Sequence, residues 1–138
     1  MVKGYQHDGR EGRLAVVKDG ATHYFLLLNF ERMQKARMWI GLTAECREKA
    51  ELSWIDETPL AETNFRAWSS VAQKKIRDTC RRLQNTAIQL PVFYEPSEFG
   101  VRWEMGQVNT NIRYMMVEFP VPQEEAEQAE NEAAAPSN

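Results

Sequence analysis

The run ARMWIGLT, residues 36–43, constrains the fold more than any other stretch. Met38, Trp39, Ile40 and Leu42 make it almost continuously apolar, which reads as a central strand. ELSWID (51–56) alternates Leu52 and Trp54 with Ser53 and Asp56, the pattern of a half-buried strand. Thr58-Pro59 ends it and starts a loop. Trp39 and Trp54 are therefore expected in the core. Trp68 follows a loop rich in Glu, Thr and Asn, and can face core or ligand.

The flanking elements follow the same logic. Leu14 to Val17 is a short apolar run, and Asp19 can cap a helix over about 20–30. Ala21, Phe25 and Leu28 give that helix an apolar face at spacings near three to four. SSVAQKKIRDTCRRLQ (69–84) is helical in pattern, with Ala72, Ile76, Cys80 and Leu83 on one face. Its outer face carries Lys74, Lys75, Arg77, Arg81 and Arg82. TAIQLPVFYEPSEFG (86–100) contains two prolines and reads as irregular or edge-like. GVRW (100–103) and NIRYMMVEF (111–119) read as strands, the second with the stronger pattern. The sum is an α+β chain with a mainly antiparallel sheet, two helices and a long loop region.

The expected division is a short N-terminal segment (1–11), one domain (12–122) and a tail (123–138). The tail holds five Glu and no Lys or Arg, and removing it leaves 17 basic against 15 acidic residues. With no aromatic or branched apolar residue, the tail is expected to be a disordered, solvating segment. No run of about 18 apolar residues exists to span a membrane, and the N-terminus lacks a signal-type apolar stretch. Two cysteines without a secretion signal argue for free thiols, and the expected setting is intracellular (cytoplasmic) or a viral particle, extracellular only if the chain is a processed fragment. Their pairing cannot be deduced from sequence, so a Cys46–Cys80 bridge stays open.

Catalytic signals are weak. The two histidines, His7 and His23, form no zinc spacing with the cysteines. Cys80 on the apolar face of its helix fits a buried structural thiol better than a nucleophile served by His23. No G-x-S-x-G, P-loop or dinucleotide motif occurs, so no enzyme activity and no cofactor are expected. The basic helix face can meet phosphates, but no aromatic interleaves with it to stack on bases, which disfavours nucleic acid.

The order of motifs carries a resemblance. GRLAVVKDGATHYFL, MWIGLT and LSWIDETPLAETNFRAW together resemble the C-type lectin-like domain. That family shows G-x-L-A, an inward helical Phe, W-I-G-L, W-x-W-x-D-G-x-P-L and an Asn-aromatic pair. Gly12, Leu14 and Ala15 fit the first, Phe25 the inward Phe, and Trp39 to Leu42 the W-I-G-L. Leu52, Trp54, Asp56, Pro59 and Leu60 fit the third segment, and Asn64-Phe65 the pair. RDTCRRL is similar to the E-D-C-x-x-L segment, placing Cys80 on the third core cysteine, and Trp103 with Met115 to Glu118 resembles the last two strands.

The departures shape the function the resemblance implies. The family's two disulfides lack their partners here, near Gly9, Val108 and Val117, so a disulfide-free, apolar-packed core is expected. Calcium binding in the family uses Asn-Asp after the Trp and a proline-containing loop upstream. Here Glu104 and Met105 follow Trp103, and 66–79 holds no proline, so no metal and no calcium-dependent sugar binding are expected. Only eleven residues precede Gly12, where the family has a first strand and helix, so the expectation is a trimmed fold, a domain fragment, or an edge covered by a partner in a homo-oligomer or obligate complex. The resemblance implies a calcium-independent recognition domain for a protein, or secondarily a glycan, using the region 61–100. The candidate contacts are Asn64, Trp68, Lys74, Lys75, Arg77, Arg81, Phe93, Tyr94 and Phe99. The alternative is a structural or assembly subunit of a multi-protein or viral particle.

Overall fold

The computed structural model describes residues 6, 7, 10–83, 88–107 and 109–120. The expectation for the tail lies outside the described residues. Strands β1 (Gln6–His7) and β2 (Arg10–Glu11) pair with each other. Strand β3 (Arg13–Leu14) is followed by helix α1 (Gly20–Asn29), β4 (Met38–Cys46) and β5 (Ala50–Trp54). Helix α2 (Ala72–Arg82), β6 (Gln89–Ser97), β7 (Gly100–Met105), β8 (Tyr114–Met115) and β9 (Val117–Glu118) complete the order.

The W-I-G-L strand is central, as its apolar run predicts. β4 pairs antiparallel with β5 on one side and with β6 on the other, and β7 lies beyond β6. β8 adds a parallel pair to Met38 and Trp39. β9 pairs with β3, so the two ends of the domain meet through the Arg13–Glu118 ion pair at 3.2 Å. The Glu118 carboxylate also accepts the Val16 N–H.

Gly41 is required by close approach. Its N–H donates to the Ala15 carbonyl at 2.8 Å, and a Cβ there would sit 2.7 Å from the Leu14 oxygen. Backbone cannot yield as a side-chain tip can, so the strand passes beneath residues 14–15 only with glycine.

Four expectations are corrected. First, residues 89–97 are not irregular or edge-like: β6 is an inner strand. Pro91 is accommodated where the β4–β6 register shifts, between Trp39 and Thr43, and Pro96 lies near the hairpin end. Second, 111–119 is not one strand but two two-residue pairs on different partners. Third, α1 does not turn Ala21, Phe25 and Leu28 inward. It buries His23 and Leu26, and Phe25 and Leu28 are exposed. The run Tyr24–Leu28 is apolar throughout, so its periodicity sets no unique phase. The Asp19 cap is as expected, its carboxylate accepting the Thr22 N–H at 2.7 Å.

The fourth correction is the disulfide. Cys46, at the end of β4, is bonded to Cys80 on α2, with Cα atoms 4.8 Å apart. The chain is not disulfide-free. Around the cystine, Ala44, Ile76, Leu90 and Met105 form a small second core. The Ala72, Ile76 and Cys80 face of α2 is buried, as its spacing predicts.

The main core centres on Trp103. Trp54, Phe65 and Trp68 meet its ring edge-on at 5.7, 5.6 and 5.2 Å. Trp54 is in the core. Trp39 is only half-buried, and this is a further correction: it packs edge-on against Phe93 and lines a cavity of about 340 Å³ with Leu14, Pro91 and Met115.

The turn after β5 carries one strained residue. Glu57 adopts φ 73, the left-handed region, at the position where the resembled motif has glycine. Its neighbour Asp56 is desolvated, yet hydrogen bonds from Lys18 and Thr58 outweigh this and hold its carboxyl down at about 2. Glu57 is exposed, so Glu57→Gly removes strain without removing packing. We expect a gain of about 1 kcal/mol, read as a raised urea midpoint; an unchanged or lowered midpoint contradicts it.

Candidate ligand-binding surface

Trp68 organises the surface. The Trp103 backbone N–H donates to the Ala67 carbonyl at 2.7 Å, and the Ser69 N–H donates to the Trp103 carbonyl at 3.0 Å. These bonds lay residues 67–69 alongside β7 and stand the half-buried Trp68 ring on Trp103. A cleft opens on each side of it. One, of about 370 Å³, is lined by Trp68, Ser69, Ser70, Ser97, Phe99 and Arg102. The other, of about 390 Å³, lies between β5 and α2 and includes Leu52, Arg66, Trp68, Gln73 and Arg77.

Phe99 is 78% exposed at the tip of the β6–β7 turn. The turn is fixed by the Ser97 hydroxyl, which donates to the Gly100 carbonyl at 2.9 Å and accepts the Phe99 N–H at 3.2 Å. Gly100 takes φ 103, which glycine alone adopts without strain. The Ser69 hydroxyl is buried and has no hydrogen-bond partner. It is a donor and acceptor left unused at the cleft wall.

The expected contact residues divide. Trp68 and Phe99 line one cleft, and Trp68 and Arg77 line the other. Lys74, Lys75 and Arg81 are exposed on α2, with Lys75 reaching toward Glu104 at 3.8 Å. Asn64 is exposed but lines neither cleft. Phe93 and Tyr94 are corrected: both are buried on inner strand β6, not displayed on a loop. Ser69, Ser70, Ser97 and Arg102 were not foreseen. Only Arg102 carries a signal, the outward position between Val101 and Trp103 on an alternating strand.

The positions after Trp103 are occupied by structure. Met105 packs in the second core. Glu104 is buried, with one carboxylate oxygen lacking a hydrogen bond. Among the described residues, no group of three or more His, Cys, Asp or Glu is placed to hold a metal ion. No helix among them is long and apolar enough to cross a membrane.

Behind the clefts lies a buried polar pair that the sequence did not reveal. His23 Nδ1 meets the Tyr94 hydroxyl at 2.7 Å. Burial, helped by the Arg102 charge, pushes the His23 pKa down, and burial pushes the Tyr94 phenol up. A depressed histidine makes the unfolded chain the better proton acceptor. Its share of stability is whole above about pH 6.5 and declines as pH falls below that, by at most about 1.4 kcal/mol per pH unit. We expect His23→Gln to flatten the melting profile between pH 7 and 5 (roughly the histidine range). An equal acid slope in both proteins removes His23 as its source.

A protein-family model, the lectin C-type domain, matches residues 7–91. The two helices and curled antiparallel sheet fit the α+β fold of that family. No curated protein and no solved structure matches the chain.

Proposed function

The chain belongs to the C-type lectin domain family, and on that premise we propose that it is a non-enzymatic recognition domain that binds a protein partner without calcium. Domains of this family bind carbohydrate or protein and are generally not enzymes. The observation that carries the reading is Trp68 set between two open clefts, with exposed Phe99 and Arg102 beside one and Arg77 beside the other. Aromatic and Arg side chains with spare hydrogen-bonding groups are the usual anchors of protein interfaces. The partner that fits presents an apolar side chain to Trp68 and Phe99 and carboxylates to Arg77 and Arg102.

Calcium independence is supported by the two residues after Trp103. Glu104 is turned toward Lys75, and Met105 is core, so the pair that would hold the ion is replaced by an ion pair and a buried thioether. The cystine favours an oxidising compartment over the reducing one that free thiols implied.

The test is affinity capture in the presence of a calcium chelator. The wild type should retain a protein that Phe99→Ala or Arg102→Glu retains about 10- to 100-fold less well. Both positions are exposed, so both variants should keep the wild-type melting temperature. Retention on immobilised monosaccharide that appears only with calcium would sink this reading.

A further inference from the structure

We propose that the outer face of α1 is a homodimer contact, in which two copies of the helix pack antiparallel about a two-fold axis. The helix GATHYFLLLN carries no Asp, Glu, Lys or Arg. A surface helix normally turns charged or polar residues outward. Yet Tyr24 is 63%, Phe25 58% and Leu28 84% exposed, with Phe30 44% exposed beyond them. Ala21, Tyr24, Phe25 and Leu28 fall at i, i+3, i+4 and i+7, one continuous stripe. It lies on the side opposite His23 and Leu26, which the domain already buries.

Area and shape argue for a second copy. Large side chains of about 200 Å² exposed to these degrees amount to about 500 Å² per copy, the size of the largest patch on an ordinary monomer. Two such faces, with Phe30 included and fully covered, bury at most about 1,000 Å², the size of a weak, reversible interface. The stripe is self-complementary in the antiparallel sense that a two-fold axis requires. With Tyr24 of one helix against Phe25 of the other, the small Ala21 falls opposite the protruding Leu28.

Sedimentation of the full chain tests the assignment. A weak contact of this kind is expected to dissociate between about 1 and 100 μM. Wild type at the upper end should sediment at twice 16.0 kDa. Leu28→Glu and, separately, Phe25→Arg should each raise the dissociation constant at least about 100-fold. Both should keep the wild-type melting temperature in dilute solution, since neither side chain is buried. Deleting 123–138 should leave the dimer intact. A double variant, Ala21→Cys with Leu28→Cys, should oxidise to a covalent dimer, whereas Ala21→Cys alone should not. A wild-type monomer at the highest concentration, or a dimer that survives both charge variants, overturns the proposal and leaves the stripe to another occupant.

Discussion

Trp103→Ala is expected to remove about 3–5 kcal/mol. The indole is fully buried and three aromatic rings lean on it edge-first, from β5, from the 63–67 segment and from Trp68. Truncation opens a cavity among rigid rings that cannot collapse into it, so the transfer loss and the cavity loss both count. For a domain of this size the melting temperature should fall by about 15 °C. Trp103→Phe keeps a ring in place and should cost less than half as much. The effect should reach the proposed binding surface too, because Trp68 loses the ring it stands on. A Trp103→Ala protein within about 1 kcal/mol of wild type in urea would show that the rings do not form one packing unit.

Opening the Cys46–Cys80 bond should have a comparable effect. It closes a loop with a sequence separation of 34. Chain-entropy arguments give about 4 kcal/mol for a loop of that length. Reduction, or the double replacement Cys46→Ala with Cys80→Ala, should lower the urea midpoint accordingly, and the alanine pair should lose more because it also removes two buried sulfur atoms. The bond itself is checked by thiol counting. The denatured, unreduced protein should show no free thiol, and two would contradict the structure.

Much of the scaffold was legible in the sequence because it is written in strict periods. The continuous apolar run at Met38 to Leu42 and the alternation at Leu52 and Trp54 gave strands in the right places. Ala72, Ile76 and Cys80 marked the buried face of α2. The failures have physical reasons as well. Tyr24 to Leu28 is apolar on every side, so the orientation of α1 depended on which residues found partners, and His23 found Tyr94. Pro91 and Pro96 suggested an edge, but one sits at a register shift and the other near a hairpin end, where a missing N–H does little harm. The cystine joins positions whose proximity exists only once α2 lies against β4. At the surface, Trp68 and Phe99 stood out as aromatics in polar company, whereas Ser69, Ser70 and Ser97 belong to a residue type too common to signal anything.

The pairing of β3 with β9 has a mechanical consequence. Its register sets Arg13 beside Glu118 and Leu14 beside Val117, so chain entering and leaving the domain does so at one point. Tension applied through the two ends peels these pairs apart one after the other, rather than shearing them together. Low force should therefore suffice to detach the ends, while β4, β5 and β6 stay assembled. Beyond that point the cystine limits the travel: the 34-residue separation it spans withholds about 120 Å of extended chain. Under load the domain would yield early at its seam, and its extension would stop well short of the full length of the polypeptide.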